Sequence, residues 1–166
     1  MNWLIVSMWI MACSSSRLQK RLDGQEFDHW YALRVYMSDE EKKVYLKKKT
    51  REERDAYLQE LEIWDKFYSY EERIREKIVA GEVQNGWTTE MLQMAWGAPY
   101  DKQRAIGRNA VRSIKYVYKF EQHSDGSVLV WERNSKTVYK ADRCFIKEVI
   151  VDDDVVAEMI QKKFPC

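Results

Sequence analysis

Two periodicities divide this chain. From Phe27 to Ile78 apolar residues recur every three or four positions, as in helices with one buried stripe, and from Ile114 onward they alternate, as in half-buried strands. Phe27, Trp30, Leu33 and Met37 predict a short amphipathic helix. Ser38-Asp39-Glu40-Glu41 then forms a capping box, and Thr50-Arg51-Glu52-Glu53 repeats it just after Lys47-Lys48-Lys49, a basic run that suits the carbonyl end of the preceding helix. The next helix places Tyr57, Leu61, Trp64 and Tyr68 on one stripe, flanked by Leu58 and Phe67, and is expected to be the longest. A last helix of this half runs through Ile74 and Ile78, with Glu71 and Arg75 one turn apart and Gly81 positioned as a left-handed C-cap.

The two patterns meet at Gly86 to Pro99. Asn85-Gly86 is a turn pair and Thr88 a fitting N-cap, while Met91, Leu92, Ala95 and Trp96 share one helical face. Gly97 ends that helix and Pro99 prevents its return. About two turns of helix are unstable alone in water, so tertiary packing must hold them. Residues 100–110 are polar, with Gly107, and predict a loop or irregular edge.

Beyond them, Ile114, Tyr116, Tyr118 and Phe120 alternate with Ser113, Lys115, Val117 and Lys119, a strand with one strongly apolar face. Asp125-Gly126 turns the chain into a strand at Ser127–Trp131. Asn134-Ser135 predicts a second turn, followed by a short strand at Thr137–Lys140. A strand at Cys144–Val151 is joined through Asp152-Asp153-Asp154 to one at Val155–Ile160. The expected architecture is α+β: N-terminal helices, a short helix, and an antiparallel β-meander of about three to five strands. Residues 27–81 form the helical region and residues 82–166 the α+β region packed with it.

Length and composition narrow the classes. A chain of 166 residues can bury its own core, and 33% charged with 13% aromatic residues argues against disorder. The formal charge of +1 gives no bulk attraction to nucleic acid. Past the N-terminus nothing approaches the roughly 18 to 20 consecutive apolar residues of a membrane span.

Trp3 to Ala12 is apolar except for Ser7 and leads into Cys13 and three serines. Ile10-Met11-Ala12-Cys13 resembles a bacterial lipobox: an aliphatic residue, a tolerant position, a small residue and the lipidated cysteine. The resemblance implies a signal peptide at residues 1–12, lipid attachment at Cys13, and a tether over residues 13–26. No Lys or Arg precedes the run, a departure from the usual signal-peptide pattern that an upstream start codon would explain. The other readings are an uncleaved apolar helix and an ordinary buried one. Two or more acyl chains anchor a protein stably where one is marginal. Ser14, rather than Asp, follows the cysteine, and by the same resemblance this implies the outer membrane, with the domain facing the periplasm.

Candidate chemistry is sparse. Cys144 and Cys166 either pair in an oxidising compartment or serve as a half-buried strand residue and a free C-terminal thiol. The chain has two histidines, His29 and His123. A Cys144/His123 dyad lacks a third partner. Asp152-Asp153-Asp154 lacks the spaced ligands and glycine of a calcium loop and reads more simply as a solvated hairpin tip. No zinc-ligand spacing, phosphate-binding glycine loop or RNA-binding signature is present. Catalytic, cofactor-binding and metal residues are therefore assigned to none, and the expected partners are a membrane, through the lipid, and a protein of the cell envelope.

Two family resemblances rest on the central stretch. Gly86-Trp87-Thr88, the helix through Met91 and Leu92, Gly97-Ala98-Pro99 and the later strands resemble the small outer-membrane lipoproteins of the BamE/SmpA/OmlA kind. That resemblance implies a non-enzymatic, protein-binding accessory factor of envelope or β-barrel assembly. The charged segment Met37–Ile78 followed by Gly86-Trp87-Thr88-Thr89-Glu90 is similar to GWxTD-domain proteins, with Glu in place of the final Asp. It implies instead a soluble or inner-membrane-tethered binding module. Apart from either family, Gly86 permits a tight entry, Thr88 caps, and Gly97 with Pro99 enforces an exit into extended structure. Trp87 reads as a core plug between the short helix and the sheet or as a binding hot spot.

Overall fold

The computed structural model describes residues 22–131 and 141–166. The expected signal peptide, Cys13, most of the tether, the Asn134-Ser135 turn and the Thr137–Lys140 strand lie outside the described residues. Within them the fold is α+β, with six helices and a five-stranded antiparallel sheet. The chain divides into two compact units. One comprises the helices up to Val83 together with Glu90–Gly97, and the other Gln84–Thr89 together with Ala98–Cys166.

In the helical unit, α1 spans Gly24–Leu33 and continues into a 3-10 turn at Arg34–Tyr36. It begins inside the stretch read as a tether, because Asp23 and Glu26 form a capping box. Asp23 Oδ1 accepts from the Glu26 amide at 2.8 Å, and Glu26 Oε2 accepts from the Asp23 amide at 2.8 Å. The tether boundary at residue 26 is corrected accordingly. Helix α2, Asp39–Lys47, and helix α3, Arg51–Glu60, start at the expected boxes of Ser38 and Thr50.

The long helix expected through Tyr68 does not form. Glu62 adopts φ +57, and α4 restarts only at Trp64–Tyr68. The Glu62 amide donates to the Gln59 carbonyl at 2.9 Å and the Ile63 amide to the Leu58 carbonyl at 3.2 Å, the paired closure of a Schellman motif. Leu58 and Ile63, the apolar pair such a motif brings together, are both buried. Helix α5, Glu72–Ala80, ends as expected at Gly81 in the left-handed region. Helix α1 packs on α4 and α5, and α3 packs on α4.

Helix α6, Thr89–Trp96, buries Met91, Leu92, Met94, Ala95 and Trp96. Its residues from Glu90 group with the helical unit, although the sequence reading placed them with the strands. The Trp96 indole donates to the Gly81 carbonyl at 2.8 Å, and the Tyr31 hydroxyl donates to the Ala95 carbonyl. Lys66 Nζ lies 2.9 Å from Glu90 Oε1. These bonds within the unit account for an order that so short a helix lacks alone.

The same unit has a polar interior. Arg54 donates through Nε at 2.6 Å to Glu26 Oε1 and through Nη1 at 2.6 Å to the Lys48 carbonyl, so Glu26 serves both the α1 cap and a buried ion pair. His29, fully buried, has Nδ1 3.2 Å from Asp55 Oδ1 and Nε2 2.5 Å from the Tyr68 hydroxyl. Burial lowers the His29 pKa, with the Asp55 carboxylate opposing that shift.

In the sheet unit, the strands are β1 Asp101–Arg104, β2 Ser113–Gln122, β3 Val128–Val130, β4 Arg143–Asp152 and β5 Val155–Phe164. The order is β1-β2-β4-β5, with β3 also on β2. Strand β1 pairs with Ile114–Val117 and β3 with Phe120–Gln122, so the two lie end to end along one edge of β2. Tyr116, Tyr118, Phe120, Val149 and Val151 share one face and are buried, as the alternation predicts. On the other face, Lys115 and Lys162 flank Glu148 at 3.7 and 2.7 Å across three strands. Lys119 Nζ there stands 3.7 Å from the Tyr100 ring centroid and 4.7 Å from that of Phe164.

Candidate interaction surface

The acidic hairpin tip organises one end of the sheet unit. Asp153 and Asp154 have φ of +47 and +66, so a two-residue turn with both central residues in the left-handed region joins β4 to β5. On one side the tip holds the Gly86 motif. Gly86, at φ +87, donates its amide to the Val156 carbonyl at 2.7 Å, and the Val156 amide donates to the Trp87 carbonyl at 2.7 Å. Thr88 bridges to Val155, and Thr89 donates its amide and hydroxyl to the Asp154 carbonyl at 2.9 and 3.2 Å. The first amide of α6 is thereby satisfied by the hairpin backbone.

On the other side the tip fastens the loop 105–112. Arg108 Nε donates to both Asp152 carboxylate oxygens at 3.0 and 2.8 Å, Nη2 lies 2.7 Å from Oδ2, and Nη1 reaches Glu158 at 3.4 Å. The Ser113 hydroxyl adds a 2.6 Å bond to Asp152 Oδ1. Hydrogen bonds from Arg108, and then from Ser113, hold the Asp152 carboxyl below the usual carboxylate range. Asp153 accepts from the Arg112 amide at 2.9 Å and the Val111 amide at 3.4 Å, and its own amide donates to the Arg112 carbonyl at 2.9 Å.

This fastened loop borders an open depression of about 820 Å³ lined by Lys102, Arg104, Arg108 and Arg112 and by no carboxylate. Ile106 is 90% exposed and Val111 fully exposed, which marks them as the most exposed large apolar side chains among the described residues. Exposed aliphatic side chains in a cationic rim, beside a polar clamp, have the composition of a surface that contacts another molecule.

The residues singled out from sequence fall as follows. Trp87 is 5% exposed, the burial of a core side chain. Gly97 has φ +79, and Pro99 lies two residues before the start of β1. Cys144 is joined to Cys166 by a disulfide, which leaves no thiol for a Cys144/His123 dyad. His123 stands instead 3.8 Å from the carboxylate of Glu121, whose pKa burial raises. The hairpin aspartates are a structural clamp rather than a merely solvated tip, and no metal-holding cluster occurs among the described residues.

Sequence reasoning passed over Arg108, Ile106 and Val111. The signal available was two aliphatic residues within a run of Lys and Arg around Gly107. Compared with protein-family models, with curated proteins and with solved structures, the chain matches none of them.

Proposed function

We propose that this chain is an outer-membrane lipoprotein, anchored through Cys13, whose α+β region faces the periplasm and binds a protein partner as an envelope or β-barrel assembly accessory factor. The observation that carries the reading is the Cys144–Cys166 bridge. Disulfides persist in exported proteins and are rare where thiols are kept reduced. Cys13 is then the one cysteine outside the bridge, and it sits in the lipobox-like Ile10-Met11-Ala12-Cys13.

The binding role is supported by the loop 105–112, and a non-catalytic role by the engagement of Cys144 in the bridge. The resemblance of Gly86-Trp87-Thr88 and Gly97-Ala98-Pro99 to the BamE/SmpA/OmlA kind supports the assignment to envelope assembly.

The test is metabolic labelling with radioactive palmitate. Label in the wild-type chain and none in Cys13→Ala is expected, together with co-sedimentation with outer-membrane vesicles. Absence of label from the wild type, or an intact Met1 by mass spectrometry of the isolated protein, overturns the anchor and leaves the tethered or soluble binding module.

A further inference from the structure

We propose that the loop 105–112 receives an acidic, aliphatic-bearing segment of a protein partner. This specifies the chemistry of the partner in the reading above and rests on that reading for the protein's location.

The charge left without an ion pair on this surface is cationic. Arg108 is paired with Asp152 and Glu158, and the Asp153 carboxylate is taken up by the Val111 and Arg112 amides, whereas Lys102, Arg104 and Arg112 are exposed and no ion pair joins them to a carboxylate among the described residues. With a formal charge of only +1 on the whole chain, this is a local field that attracts carboxylates without making the protein generally cationic. Lys102 Nζ lies 5.2 Å from the Tyr116 ring centroid, which directs one of the three cations.

The apolar component is equally specific. Ile106 and Val111 stand in solvent at opposite ends of the loop, and their burial is the main apolar gain available on contact. The loop is fastened at its ends and through one side chain: the Ala105 amide donates to the Ser113 carbonyl at 3.1 Å, Asp153 holds the amides of Val111 and Arg112, and Arg108 is bound to Asp152. A loop so fastened loses less conformational freedom on binding than a free one.

Other occupants fit less well. Electrostatic attachment to an anionic lipid surface uses clusters of about 4–8 Lys and Arg, more than the three available here. Single-stranded nucleic acid is held by aromatic stacking, and residues 105–112 contain no aromatic ring. A peptide with carboxylates spaced between aliphatic side chains satisfies both the cations and the two anchors.

The test uses the full-length chain carrying Cys13→Ser, so that its result is independent of acylation. Fluorescence anisotropy is read with a labelled dodecapeptide of alternating Glu and Leu, and with its Lys–Leu counterpart. The Glu–Leu peptide is expected to bind at least tenfold tighter than the Lys–Leu peptide. Arg104→Glu with Arg112→Glu should weaken it at least tenfold, and Ile106→Ser with Val111→Ser several-fold. All four positions are exposed, and circular dichroism of each variant verifies the fold. Equal binding of the two peptides, indifference to charge reversal, or binding of anionic vesicles or DNA without binding of the Glu–Leu peptide overturns the proposal. None of these results touches the palmitate test.

Discussion

The Tyr68 hydroxyl lies 2.5 Å from His29 Nε2, in a side-chain chain that continues from His29 Nδ1 to Asp55. Three elements, α1, α3 and α4, are thus joined through one imidazole with no solvent exposure. Replacing it by alanine leaves a cavity and removes the ring that bonds the Tyr68 hydroxyl and stands beside Asp55. His29→Ala is expected to lower unfolding free energy by about 2–4 kcal/mol, measured by urea titration.

The same histidine sets a pH dependence. Its folded pKa lies below the ordinary value of 6.5, so the native state holds the neutral ring while the unfolded chain takes up a proton. Stability from this site is present above about pH 6.5 and is lost as pH falls below that value toward the lowered folded pKa. The urea midpoint should drop between pH 7.5 and pH 5.5. The drop should be smaller in His29→Gln, and an equal drop in both proteins would place its origin elsewhere.

Glu26 and Arg54 have side chains 4% and 9% exposed. Removing one member of such a pair strands the other charge, so Glu26→Ala should destabilise by roughly 3–5 kcal/mol, including loss of the α1 cap. Surface pairs such as Lys43–Glu40 should contribute under about 1 kcal/mol when truncated in the same assay.

The disulfide closes a separation of 22 residues. Cys166→Ser should cost about 3 kcal/mol through the freedom restored to the unfolded chain, and reductant should shift the wild-type midpoint toward that of the variant. A midpoint insensitive to reductant would show that the bridge does not form in solution.

Three described residues pay for positive φ without being glycine: Glu62 closes the end of α3, and Asp153 and Asp154 shape the hairpin. Side chains disfavour that region by about 1–2 kcal/mol, part of which is offset by the greater freedom of glycine in the unfolded state. Glu62→Gly should therefore raise stability by about 0.5–1 kcal/mol. Gly97→Ala, which forces a side chain into φ +79, should lower it.

Local bonding explains what could be read from the sequence. The starts of α2 and α3 depend on Ser38 with Glu41 and Thr50 with Glu53, partners three residues apart, and the stop at Gly81 needs only one residue free to turn left-handed. Alternation from Ile114 to Phe120 determined the buried face of β2 for the same reason, because strand geometry sends neighbouring side chains to opposite sides. The Asp23 and Glu26 box was equally local, but its polar surroundings resembled a tether.

Tertiary structure decided the rest. The stripe through Tyr68 carries helical spacing, yet the chain turns at Glu62, with Leu58 and Ile63 both buried at the break. Arg108 finds Asp152 across 44 residues and His29 finds Tyr68 across 39, distances at which spacing along the chain carries no information about contact. The bridge between Cys144 and Cys166 depends on β5 returning antiparallel to β4, where Cys144 lies opposite Phe164. The proposed interaction surface has the same origin, because a polar loop in the sequence is fastened as a cationic rim only when the hairpin aspartates reach its backbone.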